Sequence, residues 1–161
     1  MTLDSFNSAA RDEAAALVRP CLDIPRWVDA LVDGRPYADV AAVADAALTA
    51  AAPFTEAELD GALAHHPRIG ERPTGQSTEA NLARGEQSGV DASAADALAA
   101  ANRRYEDRFD RVFLIRAAGR SADDVLAAID ERLGNTPEQE LVVIEQQLRE
   151  IAALRLEGAL A

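Results

Sequence analysis

Apolar residues along this chain recur mostly at steps of three and four, punctuated by prolines, glycines and capping residues. The pattern predicts a first helix from about Ser8 to Val18, capped by Asn7 or Ser8 and closed by Pro20. Ala9, Ala16 and Leu17 are a small set with which to define its buried face. A second helix follows Asp23, with Pro25 in the first turn, where a missing N–H costs nothing. Trp27, Ala30 and Leu31 fall at i, i+3, i+4 and face the core, and Gly34-Arg35-Pro36 ends the helix. Asp39 to Ala51 forms an alanine-rich helix stopped by Pro53. Thr55-Glu56-Ala57-Glu58 is a capping box; it opens a helix with Leu59 and Leu63 on one face, which runs into His65 and His66.

Pro67 to Gln76 holds two prolines and two glycines and reads as an ordered loop. Ser77 or Thr78 caps a short helix to about Ser88, whose one large apolar residue is Leu82. Ser93 to Arg108 forms a longer helix with Leu98, Ala101 and Tyr105 on one side. Val112-Phe113-Leu114-Ile115 is a short apolar run with no second strand to pair with, so a buried extended segment is expected. Ser121 caps a helix to Leu133, ended by Gly134-Asn135. Thr136-Pro137-Glu138-Gln139 joins a capping box to a proline at the first helical position, opening a last helix to about Glu157. Without repeats, low-complexity tracts or linkers, residues 1–161 read as one all-α domain, a bundle of about seven to eight helices.

Composition narrows the function. Of 161 residues, 48% are hydrophobic, which excludes disorder, and much of that is alanine, so close helix packing is expected. The net charge is −12 and there is no basic patch, which argues against nucleic acids and anionic membranes as partners. Cys21 is the only cysteine, so neither an internal disulfide nor a thiolate metal cluster can form. No apolar run reaches membrane-span length, Met1-Thr2-Leu3-Asp4 lacks a signal-peptide pattern, and Gly158-Ala159-Leu160-Ala161 is no peroxisomal address. A soluble cytoplasmic protein is expected.

Three residues sit where the local pattern expects something duller. His66 precedes Pro67, which disfavours helical backbone for the residue before it, so His66 sits at a break and can face a cavity. The plainer reading is a helix-terminal imidazolium complementing the dipole. Arg155 continues the stripe Leu141, Ile144, Leu148, Ile151, where a leucine is expected. It is either a solvated helix end, one half of a structural ion pair, or an anchor for an anionic substrate. Glu86 lies in phase with Leu82, as a solvated residue or a site carboxylate. Together the three suit acid–base chemistry on a small polar anion. The adjacent histidines point about 100° apart on a helix and cannot chelate one ion as a HExxH pair does. No phosphate-binding glycine loop or GxSxG elbow is present.

At these residues the chain resembles the 2-oxo-4-hydroxy-4-carboxy-5-ureidoimidazoline (OHCU) decarboxylase family over nearly its whole length. Phe6-Asn7, Trp27 and Arg35-Pro36-Tyr37 are similar to family positions, as is the motif His66-Pro67-Arg68-Ile69-Gly70-Glu71. Glu86-Gln87-Ser88-Gly89 resembles a Glu-Gln element. Tyr105, Phe109 and Phe113-Leu114-Ile115 resemble an aromatic stretch, and Leu154-Arg155-Leu156 a C-terminal Leu-Arg-Leu. Two departures stand out. Ala83 occupies a usual serine position, and Asp110-Arg111-Val112 replaces Gly-Phe-Pro.

The resemblance implies an all-helical, cofactor-free, often homodimeric decarboxylase acting on a small ureidoimidazoline in urate breakdown to allantoin. It implies His66 as general acid, since imidazole can donate near neutral pH, with Pro67 fixing its backbone. Glu86, also placed among the catalytic residues, and Gln87 would bond the ureido and ring amides. Ala83, Arg84 and Gly85 would line the site with Ile115, Arg116, Ala117, Ala118 and Gly119, partly through backbone amides. Arg155 would offset anionic charge. No metal is implied. The rival expectation, from another class, is a non-catalytic helical binding module presenting Arg68, Arg72 and Arg84 to a partner protein.

Overall fold

The computed structural model describes residues 1–69 and 94–161, and these carry eight helices and no strand. In chain order they are α1 (Leu3–Ser8), α2 (Arg11–Val18), α3 (Pro25–Asp33), α4 (Val40–Thr49), α5 (Glu56–Leu63), α6 (Ala95–Phe109), α7 (Ala122–Arg132) and α8 (Pro137–Leu160). The helix starts follow the capping residues. Thr55 with Glu58, Ser121 with Asp124 and Thr136 with Gln139 each form a reciprocal capping box, satisfying two amides that the first turn cannot. Asp39 caps α4 by accepting the Ala42 amide at 2.7 Å.

Four details differ from the pattern. The expected first helix is two, α1 capped by Thr2 and α2 beginning at Arg11. The break is held by Arg35, whose Nη1 donates to the carbonyls of Phe6 (2.7 Å) and Ala9 (2.8 Å) that the end of α1 leaves free. In α2 the buried pair is Ala14 and Val18, and Ala16 is exposed. In α3, Ala30 is exposed, because Val28 and Val32 join Trp27 and Leu31 and centre the apolar face between two rows. α8 runs to Leu160, beyond Glu157.

The buried apolar residues form two cores. The first gathers α1 to α5 around Phe6, Trp27 and Leu31, and is closed by α8 from Ile144 onward. The second joins α6 and α7 through Tyr105, Phe109, Val125 and Ile129, and takes in Ile69. Between them runs the extended segment 112–117, buried as expected at Phe113, Leu114 and Ile115 but paired in no sheet. Its side chains alternate as an extended chain requires. Leu114 enters the first core, and Phe113 and Ile115 enter the second.

α8 spans both cores. Near its start Glu140, 1% exposed, accepts from Tyr105 Oη (2.5 Å), Arg132 Nε (2.7 Å) and Asn135 Nδ2 (3.0 Å). Arg132 also donates to the Leu114 carbonyl at 2.6 Å and lies over the Phe113 ring. Burial, then the bond to Glu140, raise the Tyr105 phenol above its ordinary range. Glu140→Gln keeps the shape but removes the charge that compensates Arg132. Urea unfolding at neutral pH should show a loss of about 3 kcal/mol; an unchanged midpoint would mean that this pair does not hold α8.

Candidate active site

α5 ends at Leu63, and two tight bonds turn the chain: the His65 amide to the Ala62 carbonyl (3.1 Å) and the His66 amide to the Leu63 carbonyl (3.0 Å). Pro67 has no amide with which to continue. Leu63 belongs to the first core and Ile69 to the second, so His66, Pro67 and Arg68 cross the seam between them. Beyond the crossing, Arg68 forks onto Glu106 of α6 (2.5 and 3.2 Å), and Asn102 Nδ2 donates to the Ile69 carbonyl at 3.0 Å. His66 and Pro67 are partly buried. His65 is exposed, with Nε2 3.8 Å from Asp23 Oδ2.

Arg155 is 4% exposed, so the arginine in the apolar stripe is buried and is no solvated helix end. Its Nη1 lies 3.4 Å from the Pro20 carbonyl in the α2–α3 connection. Its charge also reaches His66. Desolvation foremost, then Arg155, then His65 lower the His66 pKa from 6.5 to about 3. The imidazole is therefore neutral at neutral pH. That disfavours the dipole-capping imidazolium, and as a general acid His66 would first have to gain a second ring proton.

α5 itself is braced by arginines from both sides. Arg26 of α3 donates to both Glu58 oxygens (2.9 and 2.7 Å), and this bond holds the Glu58 carboxyl down at about 2. Arg111 donates from Nε to Asp60 Oδ1 (2.7 Å) and from Nη2 to Glu56 Oε1 (2.5 Å). An open cleft of about 670 Å³ lies between α5 and the end of α6. Leu63, Ala64, Asp110 and Arg111 line it, and neither His66 nor Arg155 does.

The segment Ile115 to Gly119 lies along α8. The Arg116 amide donates to Gln147 Oε1 at 2.8 Å, and Arg116 Nε stands 3.8 Å from Glu150 Oε2. Ile115 and Ala117 bury their side chains in the second core, while Ala118 and Gly119 are exposed. Gly119 has φ +76°, a left-handed turn suited to glycine. At 1.5 Å per residue, Gln147 and Glu150 stand about 12 and 8 Å along the helix from Arg155. His66 thus lies within the electrostatic reach of Arg155, and Arg116 meets α8 one to two turns before that arginine. Gln147 and Glu150 went unnoticed in the sequence, where they read as ordinary polar positions. Ala83, Arg84, Gly85, Glu86 and Gln87 lie outside the described residues, as do Arg72 and the expected helix at 77–88.

Other motif residues serve the scaffold. Asn7 exchanges two 2.9 Å bonds with the Tyr37 backbone, so Phe6-Asn7 and Arg35-Pro36-Tyr37 meet each other. Trp27 Nε1 donates to the Ala47 carbonyl at 3.0 Å. Asp110 ends α6 at φ +56°, a conformation that glycine takes at less cost, and its amide closes onto the Glu106 carbonyl at 2.8 Å.

Comparison with known proteins bears on the family to which the chain belongs. The family model for OHCU decarboxylase matches residues 7–157. A 2-oxo-4-hydroxy-4-carboxy-5-ureidoimidazoline decarboxylase from Amia calva is 31% identical over 103 residues, 61% of this chain and 59% of that protein. The chain thus aligns with under two thirds of that relative's length. Among solved structures, it resembles an OHCU decarboxylase crystallised in the presence of (S)-allantoin, with TM-score 0.66 and 25% identity over 86% of this chain and 92% of that one. It also resembles an (S)-allantoin synthase, with TM-score 0.71 and 19% identity over 99% of this chain and 54% of that one, a likeness of fold. With a family match that takes in all but a few residues at either end, this chain belongs to the OHCU decarboxylase family.

Proposed function

We propose that this protein is a cofactor-independent decarboxylase, one domain over residues 1–161, that converts 2-oxo-4-hydroxy-4-carboxy-5-ureidoimidazoline to (S)-allantoin in urate breakdown. The observation that carries the reading is the pairing of His66, at the seam between cores, with the buried charge of Arg155. The same reading makes it a cytoplasmic homodimer. Among the described residues no helix is long and apolar enough to cross a membrane.

The substrate carbon that loses carbon dioxide adjoins a C=N bond, which takes up the electron pair left behind, so no bound electron sink is needed. A proton then replaces the carboxylate on that carbon. In balance, R–CO2⁻ and one H⁺ give R–H and CO2. His66 delivers that proton to one face. Because it is neutral in the free protein, it gains the proton along with the substrate, whose anionic charge offsets the field of Arg155 and raises the imidazole's basicity. Arg155 holds the anion, and Pro67 keeps the imidazole off the helix axis. By family analogy Glu86 and Gln87 bond the ureido and ring amides, and Ala83, Arg84, Gly85 and Ile115–Gly119 line the site. The binding-module alternative is weakened at Arg68, whose guanidinium is already engaged by Glu106.

Freshly generated OHCU, followed by circular dichroism, separates the two. The enzyme yields one allantoin enantiomer faster than the spontaneous course; an unaccelerated racemic course would leave the module reading. His66→Asn should lower turnover by about 10²–10⁴ with helicity retained, and an unchanged rate would remove the histidine from the chemistry.

Arg155→Leu should lower kcat/KM about tenfold or more as the anion loses its counter-charge, by far more than it lowers the helicity of the folded protein. Parallel loss of both would make Arg155 structural.

Stability should also depend on pH through His66. Below about 6.5 the unfolded chain takes up a proton that the folded chain refuses until about 3. The stability given by the neutral imidazole is therefore complete above 6.5 and lost as pH falls toward 3. Denaturation curves for His66→Asn should be flatter than wild type across that window, and identical slopes would contradict a depressed imidazole.

A further inference from the structure

We propose that Arg111 is a positioning residue: by clamping Glu56 and Asp60 it sets where α5 ends, and so where His66 stands relative to Arg155. The functional arm of this inference rests on the decarboxylase reading; the geometric arm does not.

α5 has eight residues and buries only Leu59, Ala62 and Leu63. A helix that short does not hold itself, and its place comes from its neighbours. Three acidic residues, Glu56, Glu58 and Asp60, crowd its first five positions. Glu58 is taken by Arg26 from α3, within the first core. Glu56 and Asp60, four apart on one face, are taken by Arg111, which belongs to the segment entering the second core.

The Arg111 clamp therefore crosses the same seam that His66 crosses a turn later. Two carboxylates on one guanidinium fix the roll of α5 as well as its distance. Arg111 is also three-quarters or more buried, at 16% exposure, which holds the fork in one orientation. His66 follows Asp60 by six residues, and a roll or slip of α5 would swing the imidazole against Arg155, which stands on a different helix. Both carboxylates are about half exposed or more, at 64% and 49%, so the clamp contributes little to overall stability. Its effect is geometric. The residue also lies in the stretch Asp110-Arg111-Val112, where the resemblance to the family is broken.

The test compares wild type with Arg111→Gln, Arg111→Lys and the charge swap Arg111→Asp with Asp60→Arg. One readout is kcat and KM on OHCU; the other is the His66 ring titration by NMR. Arg111→Gln should keep its helicity and lower kcat about 10- to 100-fold with KM nearly unchanged. Its His66 midpoint should rise measurably from about 3 toward 6.5 as the imidazole leaves the field of Arg155. Arg111→Lys should fall between, and the swap should recover part of both. If Arg111→Gln fails to fold, the lysine variant carries the comparison. An unmoved His66 titration in either overturns the positioning role, as does a kcat loss that neither lysine nor the swap relieves. Wild type that turns over no OHCU refutes the decarboxylase reading alone, and the titration still decides the clamp.

Discussion

A helix that buries Glu140, Arg149 and Arg155 has few places to sit, because each charge must meet a counter-group while the apolar residues between them meet theirs. Glu140 is held by α6 and α7 through Tyr105 and Arg132. Arg149 donates to the Ala47 (3.3 Å) and Ala50 (2.9 Å) carbonyls, closing the end of α4, and stacks 3.9 Å over Phe54. Arg155 reaches the α2–α3 connection and the field of His66. An all-apolar helix could slide by a turn at modest cost. Slippage here would strand buried charges, at about 3–5 kcal/mol each. The site inherits this fixity, since one of the three stations is the arginine that faces the histidine.

Among the described residues the cationic braces on α5 and the crossing are guanidinium groups, because the chain has no lysine. Arg26, Arg68 and Arg111 keep their charge at any pH a cell reaches. On the proposed mechanism the imidazole changes charge when an anion arrives, while the placement of α5 and the seam stays fixed.

Much of the scaffold was legible in the sequence because it rests on local rules. The capping boxes at Thr55 and Thr136, the cap at Ser121, the prolines in first turns and the stripe of α6 needed no distant information. The split at Ala9 and the exposure of Ala30 were not legible, since Arg35 acts from across the chain and the α3 face depends on what packs beside it. Arg155 could be found because a charge interrupted a spacing of three and four. The same argument would have found Glu140, four residues before Ile144 and eight before Leu148 along one ridge. Arg149 was hidden, since its neighbours Ala152 and Ala153 give a weak apolar signal. The depressed basicity of His66 was illegible, because desolvation is a property of the folded surroundings.

The division into two cores has a consequence for how the chain is made. Helices α1 to α5 come first in synthesis, yet the apolar surface of α4 is covered by α8, the last helix of the described order. While translation proceeds through α6 and α7, the early half stands with an open flank. The local α6–α7 hairpin can close ahead of it, so the younger core can mature before the older one. A nascent polypeptide stalled before residue 144 would then expose Val43 and Ala47 to the ribosome's surroundings, a natural point of engagement for chaperones.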